Sequence, residues 1–160
     1  MTIPDPAHIH PSVIVLPYQN GRILMQLRDD RSDIVYPDCW GYFGGGMEQG
    51  EATTDTAFRE LQEELGWKPD RLTYLSEDLL TIPGWVRLTS YATPLTVELA
   101  SLVLTEGVDL GLFTLAEIKQ GQLFSKRTHR EHPVIPHPFM LTLAHRLRAS
   151  LDSQVGPSSS

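Results

Sequence analysis

The sequence predicts an α/β domain in which a mixed β-sheet carries helices on both faces. The order of periodic segments supports this, because β-branched runs flank one amphipathic helix and two further helices follow later strands. A length of 160 residues suits one domain with its own core. We expect the domain to span residues 12–151, with a loose N-terminal arm at 1–11 and a disordered tail at 152–160.

The first segments predict a β-hairpin and a short third strand. Residues 12–18 (SVIVLPY) are rich in β-branched side chains and typical of a buried strand. Asn-Gly at 20–21 favours a tight hairpin turn, and residues 22–28 (RILMQLR) form the expected return strand. A polar loop over 29–38 then leads into an aromatic strand at 39–43.

Beyond the central helix, further strands are expected. Residues 71–77 and 84–94 fit strands, and Pro-Gly at 83–84 marks the turn between them. Residues 97–104 (VELASLVL) fit either a helix or a strand, and we favour a strand from their place in the order.

The C-terminal part predicts two helices separated by a loop. A short helix is expected at 113–120, with Thr114 as N-cap and Glu117 at the capping-box spacing. A basic, proline-rich loop is expected at 123–138, and an amphipathic helix at 139–151.

Charge and cysteine content limit the classes of partner and compartment. Thirteen basic and twenty acidic residues give a net charge of −7, which disfavours nucleic acid polymers and anionic membranes as partners. A small nucleotide remains compatible, since a metal ion can bridge two anions. The single cysteine, Cys39, fits a reducing compartment and a small buried residue. No apolar run approaches the ~20 residues of a membrane span, and a cytoplasmic location is expected.

A glycine-rich loop followed by an acidic helix is the most informative stretch. Gly44-Gly45-Gly46 precedes a helix that we expect to end at Gly66. Spacings of three and four place the carboxylates of Glu60, Glu63 and Glu64 on one helix face. Like charges repel there, and Mg²⁺ or Mn²⁺ would neutralise them. A solvated acidic face is the alternative for an isolated pattern of this kind.

This stretch resembles the box of the Nudix hydrolase family, which implies an α/β/α sandwich and a metal-dependent hydrolase. Trp67 replaces the final aliphatic residue of the box, and Phe43 stands where a proline often precedes the glycines. The matching positions, in unbroken spacing, are Gly45, Glu51, Arg59, Glu60, Leu61, Glu63, Glu64 and Gly66.

The resemblance implies roles for particular residues. Glu63 and Glu64 would bind Mg²⁺ (or Mn²⁺), with the backbone carbonyl of Gly44 contributing. Glu60 would act either as a ligand or as the base that orients water, and the sequence leaves both roles open. The other residues given roles are two that hold the box glutamates, Glu51 and Arg59, and one further acid from a later loop, Glu106.

The implied reaction is attack of water on the diphosphate of a nucleoside diphosphate linked to another group. Pro83 lies sixteen residues after Trp67, a feature of members that cleave ADP-ribose, so we favour ADP-ribose or a nucleotide sugar, then nucleoside triphosphates. Arg28 is a candidate for binding phosphate, with a surface ion pair to a neighbouring aspartate as the alternative. Trp85 is a candidate for stacking on a base.

Other functions on the same scaffold stay open. A non-hydrolysing nucleotide sensor would usually have a broken box, whereas this box is intact. An isoprenoid diphosphate isomerase would need a catalytic cysteine, and Cys39 has no base nearby in the sequence. Absence of Gly-Lys-Ser/Thr argues against a P-loop, and two histidines without cysteines make a weak zinc site. Many family members are dimers, so a homodimer is left open.

Overall fold

The computed structural model describes residue 2 and residues 4–154. Within them, nine strands and three α-helices form the mixed α/β architecture predicted from sequence. Their bounds are β1 Ile9–Gln19, β2 Arg22–Leu27, β3 Trp40–Gly41, β4 Phe43–Gly46, α1 Thr53–Leu65, β5 Thr73–Thr81, β6 Trp85–Pro94, β7 Asp109–Thr114, α2 Leu115–Gln120, β8 Gln122–Ser125, β9 Arg130–Pro133 and α3 Phe139–Gln154. Short 3-10 turns occur at Pro6–His8 and Leu99–Ser101.

The β1–β2 hairpin and the long strand β1 organise the main sheet. Asn20 and Gly21 have φ values of 52° and 73°, the left-handed conformations that a two-residue hairpin turn requires. The main path of the sheet is β3-β2-β1-β6-β5, with β4 on β1 and β7 on β2. Strand β1 runs parallel to β6 and antiparallel to β2 and β4. The predicted hairpin is therefore confirmed, and the sheet is mixed.

Alternation along the central strands supplies a separate apolar core on each face of the sheet. On one face Val13, Val15 and Leu24 pack in the core that contains the apolar residues of α1. On the other face Leu16 and Met25 pack in the core that contains residues of α2 and α3. Because neighbouring strand residues point to opposite faces, both cores come from the same strands. This arrangement confirms the prediction of helices on both faces.

Helix α1 ends at the predicted glycine, and a carboxylate of its first turn caps its N-terminus. Gly66 follows it with φ 63°, and its N–H donates to the carbonyl of Gln62. At the N-terminus the Asp55 carboxylate accepts a hydrogen bond from the Ala52 N–H at 3.0 Å. The hydroxyl of Thr53 instead lies 2.5 Å from that of Tyr91.

The prediction of a strand at 97–104 is wrong. The segment contains only the short 3-10 turn, and its backbone binds the end of α1. The Val103 N–H donates to the carbonyl of Leu65 at 3.0 Å, and the Thr105 N–H donates to that of Glu64 at 3.2 Å. The last carbonyls of a helix need hydrogen-bond donors from outside the helix. Because these backbone N–H groups donate to α1, they are not available for pairing with a strand of the sheet. Strand β7, which follows, was not predicted.

The prediction of an irregular loop over residues 123–138 is also wrong, because β8 and β9 form an antiparallel hairpin there. Leu123 and Ser125 are buried on alternating positions of β8. His132 on β9 is 1% exposed, and its Nε2 lies 2.6 Å from the Thr128 hydroxyl. Its Nδ1 lies 2.9 Å from Asp38 Oδ1, close but outside hydrogen-bond alignment. The histidine therefore connects this hairpin to the loop before β3.

The remaining boundaries shift by a few residues. Residues 9–11, expected in the arm, belong to β1, and residues 152–154, expected in the tail, extend α3. The rest of the predicted tail, 155–160, lies outside the described residues. The capping box at Thr114 and Glu117 is confirmed by hydrogen bonds in both directions. Among the described helices, none combines the length and apolar character needed to cross a membrane.

The contact between His132 and Asp38 predicts a stability effect. His132→Ala should lower the free energy of unfolding by about 1–3 kcal/mol, because it leaves a buried gap and removes the hydrogen-bond partner of the Thr128 hydroxyl. Urea denaturation monitored by circular dichroism would measure the change. His145→Ala, at an exposed site on α3, is the control and should stay within about 0.5 kcal/mol of wild type. Equal stability of both variants would contradict a structural role for His132.

Candidate active site

Two glycines allow close approaches to strand β4, one from β1 and one from α1. Gly44 has φ 145°, and a Cβ there would overlap the backbone carbonyl of Val13 on β1. A Cβ on Gly45 would overlap the carboxylate of Glu60. Gly44 therefore lets β4 pair closely with β1, and Gly45 leaves the space in which an α1 carboxylate meets the strand backbone.

Glu64 is a buried carboxylate, and no basic side chain among the described residues contacts it. It is 8% exposed, and its Oε2 accepts a hydrogen bond from the Gly44 N–H at 3.1 Å. Its Oε1 accepts a longer one from the Gln26 amide at 3.4 Å. Burial, followed by the nearby charge of Glu60, raises the pKa of Glu64 to about 8. A cation at this site would favour the ionised form.

The other two helix glutamates differ in environment. The Glu60 side chain is 14% exposed and lies against Gly45. Burial raises its pKa even though Arg59 opposes that shift. The Glu63 side chain is 58% exposed and contacts the outer side of Arg59. The structure therefore brings Glu60 and Glu64 together beside the glycines, with Glu63 at the rim.

Arg59 binds the loop and the glutamates at the same time. Its Nε and Nη2 donate to the two oxygens of Glu51 at 2.8 and 2.9 Å, a forked pair. Nη2 also donates to the Gly46 carbonyl at 3.1 Å, and Nη1 donates to Glu60 at 3.0 Å and Glu63 at 3.3 Å. The hydrogen bond from Arg59 is the main cause that lowers the pKa of Glu51 to about 2. Glu51 is therefore ionised and fixed at neutral pH.

Glu106 lies in a polar cavity beside Glu64. This cavity has a volume of about 230 Å³. The charge of Glu106 adds to the causes that raise the pKa of Glu60 and of Glu64. The residues that line this cavity are Gln26, Arg28, Asp29, Arg31, Ile34, Glu64, Glu106 and Gly107. The loop acid expected from sequence therefore shares a cavity with a box glutamate.

A second, mainly apolar cavity of about 340 Å³ is lined in part by Gly44 and Gly45. Arg28 lines both cavities, and its Nε donates to the Val35 carbonyl at 3.0 Å. Within residues 4–154, no ion pair joins Arg28 to Asp29 or Asp30. Other lining residues include Tyr36, Tyr42, Phe43, Ile82, Val86 and Ile135.

Two observations limit the sequence-based assignments. Trp85 begins β6 and pairs with Ile9, outside the residues that line either cavity, so its substrate role stays a prediction. A larger cavity of about 360 Å³, between the β1–β2 turn and α3, is lined by none of the box residues. Gln26, which lines the polar cavity, was not predicted as a site residue from the sequence. The feature that could have indicated it is a polar residue at a position where the strand pattern expects a buried apolar one.

The donor set fits a hard divalent cation in its chemistry. The groups around the glycine pair are carboxylate and carbonyl oxygens, which Mg²⁺ and Mn²⁺ prefer. No three His, Cys, Asp or Glu side chains among the described residues converge into a ready metal cage. The reason is visible in the contacts, because Arg59 engages Glu60 and Glu63 while Glu64 is turned to Gly44. Direct ligation by these residues therefore stays a proposal.

Comparison with known proteins agrees with this geometry. The family model described as NUDIX domain matches residues 8–132, which contain the glycine pair, α1 and Glu106. The chain belongs to the NUDIX family. Its match extends well beyond the box into β5, β6 and the β8–β9 hairpin.

Curated relatives resemble part of this NUDIX chain. An RNA pyrophosphohydrolase of Stenotrophomonas maltophilia strain K279a is 36% identical over 84 residues, covering 52% of this chain and 36% of the relative. The nucleoside triphosphatase NudI of Escherichia fergusonii is 39% identical over 70 residues, covering 44% of this chain and 46% of the relative. The chain thus matches less than half the length of these relatives.

Solved structures share the NUDIX fold over nearly the whole chain. The E. coli ORF135 protein superposes with a TM-score of 0.69 at 21% identity, covering 96% of this chain and 99% of that one. The NUDIX domain of Shewanella oneidensis NrtR, solved with ADP ribose, has a TM-score of 0.64 at 18% identity and covers 92% and 93%. At these identities the likeness concerns the fold.

The contacts of Arg59 predict that charge alone will not replace it. Arg59→Lys should lower turnover of the preferred nucleotide by about 10–100-fold, because an ammonium group cannot reach Glu51, Gly46 and Glu60 together. Steady-state kinetics would measure the loss. Arg87→Lys is the matched control, since Arg87 forms only a 3.9 Å exposed contact with Glu77. Wild-type turnover in Arg59→Lys would show that the forked contacts are unnecessary.

Proposed function

We propose that this protein is a metal-dependent pyrophosphohydrolase that cleaves a nucleoside diphosphate linked to another moiety, by attack of water on phosphorus. The observation that carries the proposal is the buried Glu64 carboxylate beside the glycine pair, which no basic side chain contacts within residues 4–154. A chain would gain little stability from such a group, since burial penalises its charge. A bound cation and an anionic substrate give it a use.

Several oxygen-bearing residues around Glu64 are proposed as ligands of the divalent cation. Glu63 and Glu64, with the Gly44 carbonyl, would hold Mg²⁺ or Mn²⁺, and Glu106 would add an oxygen from the loop. Glu60 would act either as a further ligand or as the base that orients the attacking water. When bound, the cation supplies positive charge that neutralises the carboxylates and polarises phosphoryl oxygens.

Two further residues keep the proposed ligands in place. Arg59 and Glu51 tie the glycine-rich loop to α1, so that the carboxylates keep their orientation. Glu60 is the candidate base for the attacking water. It lies against Gly45 with 14% of its side chain exposed, so that water can reach its carboxylate.

The two cavities support a substrate with one apolar end and an anionic middle. The apolar cavity beside Gly44 and Gly45 suits a nucleoside, since such pockets are mostly apolar with a few polar groups. Arg28 lies between the cavities and uses only Nε on the Val35 carbonyl in the described contacts. Its two Nη groups are therefore suited to hold a phosphate where the nucleoside meets the diphosphate.

The preferred substrate is ADP-ribose or a related nucleotide sugar. Pro83-Gly84 forms the β5–β6 turn, and the flanking residues Ile82 and Val86 line the apolar cavity. Nucleoside triphosphates come next, in keeping with the names of the relatives that match about half of the chain. The net charge of −7 favours a small nucleotide over a nucleic acid polymer.

A non-hydrolysing nucleotide sensor is the second candidate. Shewanella oneidensis NrtR, which shares the fold, was solved with ADP ribose and also with a 27mer DNA. The intact set of Glu51, Arg59, Glu60, Glu63 and Glu64 favours the enzyme, because binding alone does not need a complete acidic set.

The reaction class can be tested with a substrate panel. ADP-ribose, nucleotide sugars, dinucleoside polyphosphates, nucleoside triphosphates and a 5′-triphosphorylated oligoribonucleotide would be incubated with and without Mg²⁺. Wild type should release a nucleoside monophosphate only with metal, and Glu64→Gln should turn over at least ~10²-fold more slowly. Chromatography of the products would name the leaving group.

Glu77→Gln, on the exposed side of β5, is the control for loss of a carboxylate and should keep wild-type turnover. A loss of only a few-fold in Glu64→Gln would remove Glu64 from the set of ligands. Tight nucleotide binding without turnover of any substrate would favour the sensor.

A second prediction concerns Cys39. It is 7% exposed, and burial raises the pKa of its thiol, which disfavours the reactive thiolate. Cys39→Ser should therefore keep most of the hydrolase activity, measured on the same substrate. A folded but inactive Cys39→Ser would instead support cysteine chemistry of the isoprenoid isomerase kind.

A further inference from the structure

A buried amide interrupts the apolar pattern of strand β2. Gln26 is 4% exposed and stands between Met25 and Leu27, which are both fully buried. By alternation it shares the α1 face of the sheet with Leu24. An apolar residue would fill this position without the cost of desolvating an amide. The amide therefore needs an explanation in its contacts.

The contacts of Gln26 join three elements of the site. Its Nε2 lies 3.3 Å from the Tyr42 carbonyl, between β3 and β4, and 3.4 Å from Glu64 Oε1 on α1. Its Oε1 faces Gly107, where a Cβ would come within 3.2 Å of it. Gln26 also lines the polar cavity that contains Glu64 and Glu106.

These contacts restrict the orientation of the Glu64 carboxylate. One oxygen accepts from the backbone N–H of Gly44 and the other from the side chain of Gln26. The two donors come from different strands of one sheet, β4 and β2. Rotation of the carboxylate would break one contact or the other, so the pair sets the plane in which Glu64 presents its remaining lone pairs.

We propose that Gln26 is a positioning residue that holds the Glu64 carboxylate in the orientation needed to bind the divalent cation. The inference rests on the proposed function, in which Glu64 is a metal ligand. Groups that orient a metal ligand through a hydrogen bond commonly change metal affinity by about 10–100-fold when removed. Gln26 carries no net charge, so its effect comes through the hydrogen bond that it donates to Glu64.

Gln26→Met tests the proposal, because methionine has a similar length and no hydrogen-bond donor. Mn²⁺ affinity, measured by electron paramagnetic resonance titration of the full chain, should fall about tenfold. The kcat on the preferred nucleotide should fall while its KM stays near the wild-type value, since the substitution leaves the apolar cavity intact. Circular dichroism would show that the variant is folded.

Gln19→Met is the matched control. Gln19 is also a partly buried glutamine on a strand, and its Nε2 donates to the Leu95 carbonyl at 3.0 Å, away from the carboxylates. This control should bind Mn²⁺ like wild type. Because Gln26 acts through Glu64, adding Gln26→Met to Glu64→Gln should change Mn²⁺ affinity little further, as a double-mutant cycle would show.

The outcomes separate the inference from the function on which it rests. If Gln26→Met bound Mn²⁺ as tightly as wild type, the positioning role alone would be overturned. Fully additive losses of Mn²⁺ affinity in the double variant would overturn it as well. Absence of both Mn²⁺ binding and turnover in wild type would overturn the proposed function, and the role of Gln26 with it.

Discussion

The close approach of helix α1 to the glycine strand β4 is the constraint on which the site depends. The Glu60 carboxylate lies in the space that a side chain at Gly45 would fill, and the Glu64 carboxylate accepts a hydrogen bond from the Gly44 N–H. The approach is stabilised by Ala57, Leu61 and Leu65, which lie beside the carboxylates on the same buried face of α1 and are fully buried. The free energy gained by burying these apolar side chains thus holds the mutually repelling carboxylates close together.

The contacts of Arg59 determine which carboxylates of the site have a positively charged partner. One guanidinium contacts Glu51, Glu60 and Glu63, and it leaves Glu64 without a basic partner. The carboxyl group without a basic partner is therefore the buried one, next to the backbone of Gly44, and burial raises its pKa to about 8. A cation bound there would favour the ionised form, whereas full compensation by Arg59 would leave the cation little to gain.

The sequence alone predicted the hairpin, α1 with its glycine end, the capped helix α2 and the helix α3, because each has a local signal. It failed for residues 97–104 and 123–138, where composition fits several structures and long-range contacts decide. The Val103 N–H donates to a carbonyl at the end of α1, and His132 of the β8–β9 hairpin lies against Asp38 in the loop before β3. Gln26 escaped notice because its meaning depends on Glu64, which is thirty-eight residues away.

The segment that the sequence misjudged also explains the position of the loop acid. The Thr105 N–H and hydroxyl bind the carbonyls of Glu64 and Glu63, at 3.2 and 2.6 Å, so the chain is fixed to the end of α1 just before Glu106. Gly107 follows with φ 88°, and its N–H donates to Asp29 at 3.2 Å, which turns the chain toward β7. Glu106 is therefore held between two anchored residues beside the cavity of Glu64. The need to satisfy the last carbonyls of α1 thus brings a distant acid to the helix that carries the other carboxylates.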